Sequence, residues 1–179
     1  SYLSTINRQI KDIENLVNEF SSFARMPSPI FKKIKIDITV KRAVDFYKMS
    51  STNKISMKCI GKKFTINADE EQLYRVFINL IKNSEDSIAE KKEKDKLFKG
   101  IINIEINEES DYIALIVVDN GLGIDDISKI MAPYFTTKKE GTGLGLPIVS
   151  KIINEHKGEL IILNNNPGVK AKIIFPKIN

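Results

Sequence analysis

Asp119-Asn120-Gly121-Leu122-Gly123-Ile124 and, further along, Gly141-Thr142-Gly143-Leu144-Gly145-Leu146 are the two stretches that decide how this chain reads. The first follows an apolar run, Ile113-Ala114-Leu115-Ile116-Val117-Val118, and begins with a carboxylate. The second leads into a helical pattern, Leu146-Pro147-Ile148-Val149. Glycine tolerates positive φ and lets a backbone approach a ligand closely. A helix start offers unpaired N–H groups to an anion. One turn with an acid and one with bare amides suit a ligand that has a base at one end and phosphates at the other.

Outward from these turns the chain punctuates itself clearly. Residues 101–107 and 112–118 read as a strand pair joined by the turn Glu108 to Asp111, and a helix is predicted over 143–156. Glu159 to Leu163 and Val169 to Phe175 read as a closing hairpin around Asn165-Asn166-Pro167-Gly168. Upstream, Asp69 caps a helix with Gln72 three residues on, and that helix runs to about Lys91. Its apolar residues Leu73, Val76, Phe77, Leu80, Ile81 and Ile88 fill one arc at roughly 100° per residue. Asn79, Asn83 and Asp86 then share one flank of the arc, where a side chain can face a pocket. Lys33 to Asp37 reads as a strand, Ile38 to Ser51 as a helix, and Lys54 to Ile60 and Lys63 to Ile66 as short strands around Gly61. Antiparallel pairs mixed with three helices predict an α+β protein, a two-layer α/β sandwich with one mixed sheet and helices on one face.

The N-terminal segment has a different pattern. Leu3, Ile6, Ile10, Ile13, Val17, Phe20 and Ala24 alternate at spacings of three and four, the a/d seam of a heptad. Leu16 and Phe23 widen the stripe. Such a helix needs a partner, from upstream sequence or from a second subunit. Met26-Pro27-Ser28-Pro29 ends it, because closely spaced prolines cannot continue a helix. The boundary predicted there separates residues 1–30 from a domain over 31–179.

The chain has 179 residues, 42% hydrophobic and 28% charged, with a net charge of +5, which is the make-up of a globular protein with a sizeable core. Lysines and acids are interleaved, and no compact basic patch with aromatics appears, so nucleic acid is not an expected partner. The run Lys91-Lys92-Glu93-Lys94-Asp95-Lys96 is mixed in sign and reads as a solvated helix end. Cys59 stands alone, which excludes an internal disulfide and a Cys/His metal cluster and fits a reducing, cytoplasmic setting. No apolar stretch is long enough to span a bilayer.

Each motif is weak alone. Asp119-Asn120-Gly121 is most often a hairpin turn. The second glycine run lacks the Lys-Ser or Lys-Thr of a Walker loop and the spacing of dinucleotide folds. Two helix-borne asparagines are commonly plain polar flank residues. Their amide oxygens also suit a magnesium ion that keeps most of its waters. Lys138, alone a solvated lysine, would supply a point charge beside phosphates.

In combination the order is specific: Asn79 and Asn83 on a capped helix, then Asp119-x-Gly-x-Gly, then Phe135-Thr136-Thr137-Lys138, then Gly141-Thr142-Gly143-Leu144-Gly145-Leu146. This resembles the catalytic and ATP-binding domain of sensor histidine kinases, in the superfamily of gyrase, Hsp90, histidine kinases and MutL. The four segments correspond to its N, G1, F and G2 boxes, and the likeness covers about residues 34–176. The implied fold is the Bergerat-type ATP-binding fold. Residues 1–30 resemble the second helix of the family's dimerisation and phosphotransfer hairpin. Phe20 to Pro29 and the short Phe-Thr-Thr-Lys lid look most like the nitrogen-regulation type.

The resemblance implies roles. Asn83 would hold Mg²⁺ against the phosphates of ATP. Asn79 stands where hydrolysing relatives carry a general-base glutamate, and an amide cannot take up a proton at neutral pH. Asp86 borders the same site. Asp119 would accept the adenine amine, with Gly121, Gly123 and Ile124 lying against the base. Phe135 would anchor the lid, with Thr137 and Lys138 near the terminal phosphates. Gly141, Thr142, Gly143, Leu144 and Gly145 would bring amides to the phosphates, Leu144 and Leu146 serving mainly in packing. Residues 124–140 form the implied lid, mobile without nucleotide.

Two departures stand out. The family's acceptor histidine lies on the first hairpin helix, which is expected upstream of Ser1. The single histidine here, His156, is expected to have a structural role near a helix end. The last box usually has Gly-Thr, and here it is Gly168-Val169. The implied function is transfer of the ATP γ-phosphoryl group to a histidine outside the chain and then to a response-regulator receiver domain, in a homodimeric and membrane-anchored parent. Residues 1–179 alone would bind Mg-ATP without autophosphorylating. An anti-sigma-type serine kinase and an ATP-dependent interaction module are the rival readings, and the heptad helix argues against the first.

Overall fold

The computed structural model describes residues 2–130, 132 and 142–178. In chain order the elements are α1 (Tyr2–Ala24), β1 (Lys32–Lys35), α2 (Ile36–Lys48), β2 (Lys54–Ile60), β3 (Thr65–Ala68), α3 (Glu70–Lys94), β4 (Ile101–Glu108), β5 (Tyr112–Asp119), α4 (Gly145–Glu155), β6 (Glu159–Asn164) and β7 (Val169–Pro176).

Five strands form a mixed sheet in the order β2-β4-β5-β7-β6. The β2–β4 pair is parallel and the other pairs are antiparallel. Strand side chains alternate between faces. Ile102, Ile104 and Ile106 of β4, Ile113, Leu115 and Val117 of β5, and Ala171, Ile173 and Phe175 of β7 are therefore buried together. Helices α2, α3 and α4 cover that face with Val40, Val44, Leu73, Phe77, Ile81, Ile148 and Ile152. This is the expected two-layer sandwich with a mixed sheet. One detail differs: β1 and β3 pair antiparallel as a separate two-stranded sheet. Gly61, at φ +128 beside Glu108, turns the chain out of β2, and Glu108 accepts hydrogen bonds from the Lys62 and Lys63 N–H groups.

Asp69 caps α3 as expected, its side chain accepting from the Glu71 and Gln72 N–H groups at 3.1 Å. Its Oδ2 also accepts from Ile30 N at 2.8 Å, which ties the segment after α1 to the helix start. Burial raises the Asp69 pKa, but these three N–H donors outweigh it and hold the carboxyl below its ordinary value.

Candidate functional site

The site follows from strand alternation. Ile113, Leu115 and Val117 of β5 point to the helix layer, and Asp119 is next in phase. Its carboxylate therefore faces the core side and is only 5% exposed. Oδ1 accepts from Gly121 N–H at 2.9 Å and from Val169 N–H at 3.2 Å. Oδ2 accepts from the Ser84 hydroxyl at 3.0 Å. A buried charge requires such donors. The carboxylate lies in the wall of a cavity of about 520 Å³ bounded by α3, the end of β5, the segment 122–130 and the start of α4. Near the acid the walls are apolar: Val117, Ile124, Ile162 and Ala171.

Side chains of α3 and of Asn164 fix the first glycine turn. A Cβ on Gly121 would lie 2.3 Å from Ser87 Oγ, so its bare Cα is needed for close approach to α3. Lys91 Nζ donates to Asn120 O at 2.9 Å and Gly121 O at 3.0 Å and sits 4.4 Å from the Phe98 ring centroid. The Asn164 amide clasps Ile124, accepting from its N–H at 2.8 Å and donating to its carbonyl at 2.7 Å. Gly168, at φ +94, is forced by β5, since a Cβ there would stand 2.0 Å from Asp119 O. At the rim, a hydrogen bond from the Ser128 hydroxyl, then one from Lys129, holds the Asp126 carboxyl below its ordinary pKa against the opposing effect of burial.

At the other end, α3 sets Asn79 and Asn83 one turn apart beside the second glycine run. A Cβ on Gly145 would stand 3.3 Å from Asn79 Oδ1 and 3.9 Å from Asn83 Nδ2. Asn79 Nδ2 donates to Arg75 O at 2.8 Å. Gly143 takes φ +68 to enter α4. Among the described residues no group of three or more His, Cys, Asp or Glu could hold a metal. A lone amide oxygen such as that of Asn83 fits a cation whose other ligands are water and phosphate oxygens.

Of the sequence-predicted residues, Asn79, Asn83, Asp86, Asp119, Gly123, Ile124, Thr142, Gly143 and Gly145 line this one cavity. Gly121 packs on Ser87, and the Leu144 side chain is fully buried in the core. Phe135, Thr137, Lys138 and Gly141 lie outside the described residues. Ser84, Ser87 and Asn164 escaped the sequence reading, because their partners lie roughly thirty-five to forty positions away. Gly168, expected in the closing turn and last box, abuts Asp119. Lys91, expected in a solvated helix end, instead holds the Asn120 and Gly121 carbonyls. His156 lies away from the cavity, at the C-cap of α4. It is 4% exposed, its Nε2 accepts from Asp69 N–H at 2.9 Å, and its Nδ1, 2.8 Å from Ile152 O, carries the hydrogen. That is a structural post between the end of α4 and the start of α3.

Residues 68–179 match the family model described as histidine kinase-, DNA gyrase B- and HSP90-like ATPase. The chain is 38% identical over 167 residues to a putative sensor histidine kinase NtrY-like of Rickettsia felis, covering 92% of this chain and 27% of that protein. It is 33% identical over 165 residues to the nitrogen regulation protein NtrY of Azorhizobium caulinodans, covering 91% of this chain and 21% of that one. The chain thus spans about a quarter of the length of these relatives. The catalytic domain of histidine kinase ThkA superposes with a TM-score of 0.72 at 26% identity, covering 83% of this chain and 96% of that chain. ThkA in complex with the response regulator TrrA gives a TM-score of 0.79 at 20% identity over 99% of this chain and 51% of that one, a likeness of fold. With its family match and a site built from both glycine turns, the chain belongs to the histidine kinase-, DNA gyrase B- and HSP90-like ATPases, as a homologue of the sensor histidine kinases.

Proposed function

We propose that residues 31–179 are the ATP-binding core of a two-component sensor histidine kinase, which transfers the γ-phosphoryl group of ATP to a histidine outside residues 1–179. The observation that carries this reading is the buried, triply hydrogen-bonded Asp119 at one end of a cavity whose other end holds Asn79, Asn83 and a glycine-lined helix start. Asp119 accepts the exocyclic amine of adenine between apolar walls. The amides of 141–145 and the start of α4 take the phosphates. Asn83 would hold Mg²⁺, which when bound would supply charge neutralisation to the phosphates. Asn79 offers no proton acceptor, so water at the γ-phosphate is not activated and the group is kept for the imidazole. Lys138 adds a positive charge near the transferring group. Residues 1–30 act as a dimerisation helix, and a response-regulator receiver domain takes the phosphoryl group onward. The parent works at the cytoplasmic side of a membrane anchor. In the described residues no helix is long and apolar enough to cross a membrane.

Calorimetry with Mg-ATP tests the reading. The chain binds ATP, and Asp119→Asn weakens binding by roughly 10- to 100-fold, the worth of a hydrogen bond to a charged group. Equal affinity in the variant would sink the assignment. Labelled γ-phosphate stays off the chain incubated alone, since His156 is buried with both ring nitrogens engaged.

A further inference from the structure

We propose that Ser84 is a positioning residue that sets base specificity: its hydroxyl fixes the Asp119 carboxylate so that the cavity takes a purine bearing an exocyclic amine. The proposal rests on the nucleotide reading above. Ser84 is 4% exposed, on the face of α3 that otherwise buries Leu80, Ile81 and Ile88. A buried hydroxyl costs free energy unless it is hydrogen-bonded. A helical serine commonly returns its hydroxyl to its own helix backbone. Here it donates to Asp119, 35 positions away, at 3.0 Å.

The geometry of that carboxylate explains why the donor matters. Gly121 N–H and Val169 N–H both bind Oδ1, and both come from the strand ends of the sheet layer. Donors on one oxygen leave the direction of the other weakly set. Ser84 reaches Oδ2 from the opposite layer, and the three donors together fix the plane.

The same bond sets polarity. An ionised carboxylate only accepts, and a serine hydroxyl has a single proton. With that proton committed to Asp119, the pair presents acceptors to the ligand. A base edge carrying an amine is matched, and one carrying a carbonyl meets acceptor against acceptor. A site built around such a hydrogen bond discriminates strongly against a ligand lacking the matching group.

The test compares affinities of the full chain for ATP and for purine riboside triphosphate, which lacks the 6-amino group. The wild type binds ATP more tightly. In Ser84→Ala the ratio of the two affinities falls about tenfold, within the range of one hydrogen bond to a charge. Ser84→Thr keeps the ratio, and Ser84→Cys, with its weak S–H donor, lies between. A purely structural serine would loosen both nucleotides alike, so an unchanged ratio in Ser84→Ala overturns the proposal. If Ser84→Ala does not fold, an unchanged ratio in Ser84→Cys does the same. A wild-type chain that prefers ATP while the variants keep the preference sinks the role of Ser84 alone. A wild-type chain that binds the two equally removes the amine contact at Asp119, and the proposal with it.

Discussion

Helices α1 and α3 are both amphipathic and of similar length, 23 and 25 residues, yet they meet opposite fates. On α3 the stripe Leu73, Val76, Phe77, Leu80 and Ile81 is 0–4% exposed against the sheet, α2 and α4. On α1 the seam residues Leu3, Ile6, Ile10, Ile13, Val17 and Phe20 are 47–74% exposed. Their ends differ as well. Asp69 caps α3, Glu70 and Glu71 sit in its first turn and three lysines in its last, all complementing the helix dipole. In α1 there is no acidic residue in the first turn and no basic residue in the last. A periodic apolar face states only that burial is wanted. Within the domain, α3 obtains it from elements already in place, and it then serves as the rail for Asn79, Asn83 and Ser84.

The largest effect that sharpens this contrast is expected on α3. Phe77 is fully buried, and Phe77→Ala removes a ring from a close-packed interior. The expected loss is about 3–5 kcal/mol, measured by urea denaturation. A loss below about 1 kcal/mol would mean that the stripe of α3 is not the anchor of the core.

The cap of α3 comes next. Asp69→Ala should cost about 1 kcal/mol. The sign of the pH effect follows from the lowered carboxyl. Because the native pKa lies below the unfolded value near 3.8, this contribution is fully present above that value. It is lost as the pH falls through the native pKa. Denaturation profiles of the wild type and Asp69→Ala should therefore converge at acid pH. Parallel profiles down to the lowest accessible pH would refute the cap's role.

Much of this contrast could be read from the residues alone. The period of α3, the Asp69 cap and the alternation of β4, β5 and β7 are local patterns, and local patterns survive folding. So did the grouping of Asn79, Asn83 and Asp86, because helical spacing fixes which residues share a flank. The partner of β2 was not legible. Next to Gly61 a strand can pair with its neighbour or leave it, and the parallel register with β4 depends on which face of the sheet is covered. The clasp of Asn164 on Ile124 and the bond from Ser84 to Asp119 were hidden for the same reason: each is settled only when distant elements meet. The exposure of the α1 seam was legible as a demand for a partner, while the partner's identity was not.

The smallest effect on stability is also the most discriminating for α1. Ile10 lies mid-seam and is 58% exposed, so Ile10→Asp removes little that the domain itself buries. The urea midpoint of the domain should shift by less than about 0.5 kcal/mol in free-energy terms. Self-association is the quantity that should respond. If α1 pairs along its heptad seam with a second copy, the wild type gains mass with concentration in sedimentation, and a carboxylate at a seam position abolishes the gain. A wild type that stays monomeric at every concentration would assign the seam to a helix beyond residues 1–179. A marked loss of domain stability in Ile10→Asp would overturn the contrast itself, because it would show that α1, like α3, is held by the domain.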